Sequence, residues 1–200
     1  PNFRTVSVKD STASRIEKAN SLGYPVVVKP DAQGSSIGVS IVENEDQLAD
    51  ALRAALVHDP LAVLETYIPG REMTVALLNH RPFPIIEIRS NREFYDYEAK
   101  YQDDATAYVF DSDMPATVLR DFESVAVSAA ETLGCTGVAR VDLRVDDQQR
   151  PWLLEVNTIP GFTDHSLVPK AAARAGISFA ELCEQLVQSK MQPPLETLGN

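Results

Sequence analysis

Only two cysteines occur among the 200 residues, Cys135 and Cys183, far apart in the chain. That excludes a disulfide framework and the close-pair spacing of a zinc site, so both are expected to be reduced packing residues. No apolar run approaches the roughly 20 residues that cross a bilayer, and the opening PNFRTVSVKD has no signal-peptide core. Neither membrane nor secretion is expected, and the cytoplasm is the expected compartment. Positive charge is also scarce: 18 Lys and Arg stand against 29 Asp and Glu, a net charge of −11. Such a field opposes nucleic acid as a partner but leaves room for a small polyanion helped by a metal. Internal repeats and low-complexity tracts are missing, and the chain opens on Pro1 rather than Met, so loss of upstream residues is expected. What is present, 44% apolar and 24% charged residues, suffices for one or two domains with real cores.

Residues 10–22 read as a short helix stopped by Gly23 and Pro25, and the β-branched run 26–28 as a strand. Residues 38–42 offer its hairpin partner across DAQGSSIG. Asn44 with Gln47 resembles a capping box, opening a helix that ends before Pro60. Strands are expected at 61–66, 72–78 and 83–88, with turns at Pro69-Gly70 and Arg81-Pro82. Periodicity disappears over 90–112, a stretch crowded with aromatics and charges that suits a lid. Residues 115–134 are then helical, 138–145 and 151–156 are strands, and helices follow near 168–175 and after Ser178, with Glu181 as capping partner. The mixture without regular alternation makes the fold class α+β. A smaller lobe over 1–66, a larger lobe over 67–190 and a frayed tail over 191–200 are expected.

The chemistry concentrates in two strands. Alternation in VARVDLRV puts Arg140, Asp142 and Arg144 on one face, and in PWLLEVN it groups Leu153, Glu155 and Asn157 against Trp152, Leu154 and Val156. The linking DDQQR suits an antiparallel hairpin, and the register that opposes Asp142 to Glu155 also opposes Arg140 to Asn157. Facing carboxylates repel, so a cation belongs between them. Arg140 can be that cation; Mg²⁺ is the alternative, taking carboxylate oxygens, phosphates and the Asn157 amide oxygen. The TIPGFTDHSLVP loop that follows is a natural place to hold a substrate.

Elsewhere, Gly34 and Gly38 of DAQGSSIG let backbone approach a ligand, and Ser35 and Ser36 can meet phosphate oxygens, although an ordinary turn fits as well. Lys29 ends its strand either snorkelling to solvent or supplying fixed charge. Glu65 and Glu72 flank TYIPGR, where Arg71 is a plausible partner. FYDYEAKY brings Lys100 and Tyr101 into the aperiodic stretch. His58, His80 and His165 show no ligand spacing, and none is assigned a catalytic role.

Taken in order, VVVKPDAQGSSIGV, LETYIPGREMTV, FYDYEAKY, GVARVDL and LLEVNTIPGFTDHSLVP closely resemble the ATP-grasp part of bacterial D-alanine:D-alanine ligases, over about residues 24–188. The resemblance implies two α+β lobes with mixed or antiparallel sheets gripping ATP. It also implies ATP- and Mg²⁺-dependent joining of two D-alanine molecules through an acyl phosphate, for peptidoglycan precursor synthesis. Carried over by motif, Lys29, Ser35, Ser36, Glu65, Thr66, Tyr67, Ile68, Glu72 and Lys100 would bind the nucleotide. Asp142, Glu155 and Asn157 would hold two Mg²⁺ ions, with Mn²⁺ as a substitute and Glu155 as the bridge. Arg140 and the Gly161 amide would stabilise the oxyanion of the tetrahedral intermediate, with Ser35 and Tyr101 also in the catalytic set; Ser166 and Leu167 would hold the carboxylate of the attacking amino acid. Tyr101 favours peptide over depsipeptide formation.

The family also carries an amino-terminal domain that these residues do not match, and its full-length members are often homodimers. A carboxy-terminal piece that binds nucleotide but ligates poorly is therefore expected. The alternatives are a noncatalytic nucleotide-binding regulatory module and a ligase for another amino-acid pair.

Overall fold

The computed structural model describes residues 1–89, 106–110 and 112–191. Two compact units make up the chain, the first formed mainly by Pro1–Pro69 and the second by Gly70–Arg89 with the chain from Tyr108 onward.

Alternating apolar residues build the first unit. β2 (Val26–Pro30) turns Val26 and Val28 into the core, and β4 (Leu61–Thr66) does the same with Ala62 and Leu64. β1 (Phe3–Ser7) and β3 (Ser40–Val42) complete an antiparallel sheet of order β1–β4–β2–β3. Two helices, α1 (Thr12–Asn20) and α2 (Glu45–Leu56), bury Ala19, Leu48, Leu52 and Ala55 in the same cluster. Each buried Leu or Val is worth about 1.5–3 kcal/mol, so helices this short are held by that face rather than by propensity. Ser11 caps α1 through the Ser14 amide (3.2 Å), and Asn44 caps α2 through the Asp46 amide (3.2 Å). Gln47 reaches back to the Glu43 amide (2.8 Å), one residue before the partner a capping box requires.

In the second unit, β5 (Arg71–Leu78), β6 (Arg81–Pro82), β7 (Ile86–Arg89), β8 (Ala107–Val109), β9 (Val138–Val145) and β10 (Pro151–Asn157) form one sheet. The order is β10–β9–β5–β7–β8, with β6 paired to β5. α3 (Ala116–Thr132) lays Phe122, Ala126 and Ala130 into the core with Met73, Val75, Val141 and Leu143. α4 (Leu167–Arg174) and α5 (Phe179–Met191) follow. Ser178 and Glu181 form the expected reciprocal cap, at 2.8 and 3.3 Å. Cys135 is buried in this core, and both cysteines are free thiols. Among the described residues no helix is long and apolar enough to cross a membrane.

An ion-pair network lies on this sheet. Glu87, 3% exposed, accepts two hydrogen bonds from Arg71 (2.8 and 2.5 Å) and one from Arg89 (2.9 Å). Arg71 further holds Asp113 (2.7 Å) and the Ser112 hydroxyl (3.1 Å). Its carboxylate partners among the described residues include Glu87 and Asp113.

Several boundaries differ from expectation. The turn after β5 is Asn79-His80, with φ of 49° and 63°, and Arg81-Pro82 belongs to β6. Asn readily adopts the left-handed conformation that a two-residue hairpin demands. The strand expected at 83–88 shrinks to Ile86–Arg89, because Pro84 cannot donate to a ladder. β8 arises inside the aperiodic stretch, and α5 runs to Met191, the first residue of the expected tail. Lys100, Tyr101 and most of the expected lid lie outside the described residues, as does the tail from 192.

Candidate functional site

The hairpin of β9 and β10 brings the expected acid pair together. Glu155 lies opposite Asp142 and Asn157 opposite Arg140, while Leu153 lies opposite Leu143 and Trp152 opposite Arg144. Both sets of pairs hold only because Leu154 is an extra, unpaired residue, a β-bulge. Strict alternation therefore fails on the distal half. Trp152 shares the face of Arg144, and its indole donates to Asp146 (3.0 Å), instead of joining Leu154 and Val156; Leu153 leaves the polar face for the one carrying Leu143.

Asp142 is nearly enclosed, and both of its oxygens are hydrogen-bonded. Oδ1 accepts from the Thr74 hydroxyl (2.7 Å) and Arg140 Nε (2.9 Å); Oδ2 accepts from Arg140 Nη2 (2.7 Å) and Asn157 Nδ2 (3.0 Å). The same two side chains reach Glu155 Oε1, Asn157 at 3.0 Å and Arg140 at 4.0 Å. Burial alone would raise the Asp142 pKa, but the hydrogen bonds and charge of Arg140, with Thr74 assisting, hold it below the ordinary aspartate value. The guanidinium is thus a cation of the acid pair, as one of the two sequence readings required. Among the described residues no three His, Cys, Asp or Glu side chains gather into a cage. A donor set of two carboxylates and a carboxamide, all hard oxygens, nevertheless fits Mg²⁺, which takes one or two carboxylates and completes its shell with phosphates and water.

Sequence reasoning missed Thr74. It lies opposite Asp142 on the neighbouring β5, and Glu72 lies opposite Arg144 on the same face. Alternation within GREMTV carried that signal, since Glu72 and Thr74 are two residues apart. Arg144 donates to the Gly70 carbonyl (3.0 Å) and lies 3.8 Å from Glu72. Gly70 has φ of 123°, and a Cβ there would run into the Val145 carbonyl, which is why the strand can begin so close to β9.

In the first unit, Lys29 and Glu65 meet on the sheet face opposite the buried valines, with Nζ 2.7 Å from Oε1. Lys29 is therefore held in an ion pair rather than snorkelling free. Thr66 and Tyr67 donate their amides to the carbonyls of Asn2 (2.9 Å) and Pro25 (3.1 Å), and Ile68 is 8% exposed. The DAQGSSIG loop does join β2 to β3, with Ser35 and Ser36 both left-handed at φ of 54° and 58°. Two consecutive non-glycine residues in that region store backbone strain of a kind found at ligand-gripping loops.

The two loop glycines differ. A Cβ on Gly38 (φ 71°) would stand 3.0 Å from both Pro30 and His58, whereas one on Gly34 would meet nothing within 4 Å. Gly38→Ala should therefore cost about 1–2 kcal/mol in urea unfolding, and Gly34→Ala should stay within about 0.5 kcal/mol of the parent.

Gly161, Ser166 and Leu167 come together at the start of α4. Ser166 is the N-cap residue but makes no side-chain cap bond. Its hydroxyl instead accepts from the Thr163 amide (3.0 Å) and pairs with the Thr163 hydroxyl (2.9 Å). A Cβ on Gly161 would lie 3.1 Å from that oxygen, so the Gly161 backbone runs directly beside it. Leu167 is 8% exposed, which leaves its backbone N–H, at the positive end of the helix, as its means of meeting an anion.

A family model described as the D-ala D-ala ligase C-terminus matches residues 1–188. The chain belongs to this family. Among curated relatives, the D-alanine–D-alanine ligase of Gloeobacter violaceus is 45% identical over 172 residues, covering 86% of this chain and 57% of its own length. That of Nitrosococcus oceani is 41% identical over 188 residues, covering 94% and 59%. The chain thus spans less than two thirds of these family members. Among solved structures, the Bacillus anthracis D-alanine–D-alanine ligase complexed with ATP matches at a TM-score of 0.82 with 30% identity, over 96% of this chain and 60% of that one. The VanG D-Ala:D-Ser ligase of Enterococcus faecalis matches at 0.84 with 30% identity, over 94% and 56%. The fold is the ATP-grasp fold of these ligases, α+β with antiparallel sheets as expected.

Proposed function

We propose that this chain is the nucleotide- and metal-binding portion of an ADP-forming ligase that joins two D-alanine molecules for peptidoglycan precursor synthesis. The observation that supports it most is the opposed pair Asp142 and Glu155, with Asn157 and Arg140 on the same face. In this reaction a carboxylate oxygen of the first D-alanine attacks the terminal phosphorus of ATP, and the bond to the bridging oxygen breaks to release ADP. The amine of the second D-alanine then attacks the acyl carbon, loses a proton and expels phosphate. Mg²⁺, as two ions or replaced by Mn²⁺, would be held by Asp142, Glu155 and Asn157 and would offset phosphate charge.

The other roles fall to the chain's own groups. Lys29, Ser35, Ser36 and Lys100 bind the phosphates, Glu65 to Ile68 the adenine, and Glu72 the ribose. Arg140 and the Gly161 amide donate to the oxygen that becomes negative as the amine adds. Ser166 and the Leu167 amide hold the carboxylate of the attacking amino acid, and Ser35 and Tyr101 line the reaction centre. An amino-terminal domain like the one that completes the relatives, a homodimeric state and a cytoplasmic location belong to the same proposal.

The test has two arms. Calorimetry with a nonhydrolysable ATP analogue should show binding that Mg²⁺ strengthens, and the full-length protein given ATP and D-alanine should release ADP and a dipeptide in equal amounts. Absence of D-alanine-dependent ADP release would overturn the ligase reading, and nucleotide binding indifferent to D-alanine would favour a regulatory module. The likeness to the VanG D-Ala:D-Ser ligase supports a second reading, with another acceptor amino acid. Offering D-serine alongside D-alanine separates the two by the mass of the product.

A further inference from the structure

The strand β5 buries an apolar row, with Met73, Val75, Ala76 and Leu77 at most 3% exposed, and Thr74 is the single hydroxyl among them at 1%. A hydroxyl there is destabilising unless it is hydrogen-bonded, and its bond goes to Asp142 Oδ1 at 2.7 Å. The two oxygens of Asp142 are held differently. Oδ1 accepts from Arg140 Nε (2.9 Å) as well as from Thr74, whereas Oδ2 is covered by Arg140 Nη2 and Asn157 Nδ2, two side chains that also reach toward Glu155. A divalent ion placed between the carboxylates competes directly with those two donors, one of them a positive charge it repels. Thr74 is neutral, buried and bound to the other oxygen, so nothing about the ion displaces it.

We propose that Thr74 is a positioning residue for Asp142: its hydroxyl fixes Oδ1 and thereby keeps Oδ2 aimed at the ion after Arg140 and Asn157 give way. The proposal rests on the reading of Asp142 as a metal ligand. Groups that orient a metal ligand in this way typically change affinity 10- to 100-fold when removed.

Thr74→Val keeps the shape of the side chain and removes the hydroxyl; Thr74→Ser keeps the hydroxyl. Free Mn²⁺, read by electron paramagnetic resonance in the presence of a nonhydrolysable ATP analogue, reports metal affinity without turnover. The valine variant of the intact protein should bind Mn²⁺ about tenfold more weakly than the parent, and the serine variant within about threefold of it. Analogue affinity in EDTA should be the same in all three. Parent-like Mn²⁺ affinity in the valine variant, or a serine variant as weak as the valine one, overturns the role of Thr74 while leaving Asp142 as ligand. A parent protein that takes up no Mn²⁺ overturns the underlying metal reading as well. If the valine variant does not fold, Thr74→Cys, with its weak donor, carries the same expectation of about tenfold weaker binding.

Discussion

Asp142→Asn should weaken Mn²⁺-dependent binding of an ATP analogue by at least about a hundredfold and lower the unfolding free energy by about 3 kcal/mol. The first effect follows from removing a full charge beside a dication, since unit charges about 4 Å apart already interact by about 4 kcal/mol at the effective dielectric of a protein surface. The second follows from Arg140, whose side chain is 15% exposed and loses a two-pronged partner. Glu155, 4.0 Å away, can recover part of that interaction, which places the cost at the low end for a broken buried pair. A pair of carboxylates that merely repelled each other would respond oppositely, gaining stability on neutralisation. Calorimetry and urea unfolding of the same preparation read both effects, and unchanged analogue affinity would remove Asp142 from the metal site.

The second large effect concerns acid. Glu87 has its pKa lowered from 4.5 to about 2: burial pushes the carboxyl up, and hydrogen bonds from Arg71 and Arg89 with their charges outweigh it. Because the unfolded chain takes up this proton first, the stability contributed by Glu87 is complete above pH 4.5, declines as the pH falls toward 2 and is lost below it. The drop is worth roughly 3 kcal/mol. Glu87→Gln should therefore be markedly less stable than the parent at pH 7 and should converge with it at pH 2. Other carboxylates titrate in the same range, Asp146 among them, also at about 2. Comparing the parent with the Gln variant by urea unfolding across that range isolates Glu87, and parallel curves would show that Arg71 and Arg89 do not hold it as a charged pair.

The acid pair was legible because a hairpin of period two allows few registers, and the one that matches Asp142 to Glu155 also matches Arg140 to Asn157. Trp152 was not, since the irregularity at Leu154 carries no glycine or proline to mark it. Asn79-His80 was hidden behind Arg81-Pro82, a stronger punctuation signal that turned out to be strand. β8 is three residues long, too short for any periodicity to register. Thr74 escaped because a lone hydroxyl in an apolar run reads as packing until the opposite strand is known. Whether Arg140 or a metal balances the acids is a matter of occupancy, which the order of residues does not encode; the guanidinium on Asp142 answers only for the chain by itself.

The unpaired residue in β10 also bears on how relatives should be compared. Leu153 and Glu155 face adjacent residues of the opposite strand, Leu143 and Asp142. A homologue one residue shorter at Leu154 can therefore close the ladder without moving a single partner. A gap at that point in an alignment is neutral for the acids, whereas a one-residue gap between Glu155 and Asn157 would turn the carboxamide away from them.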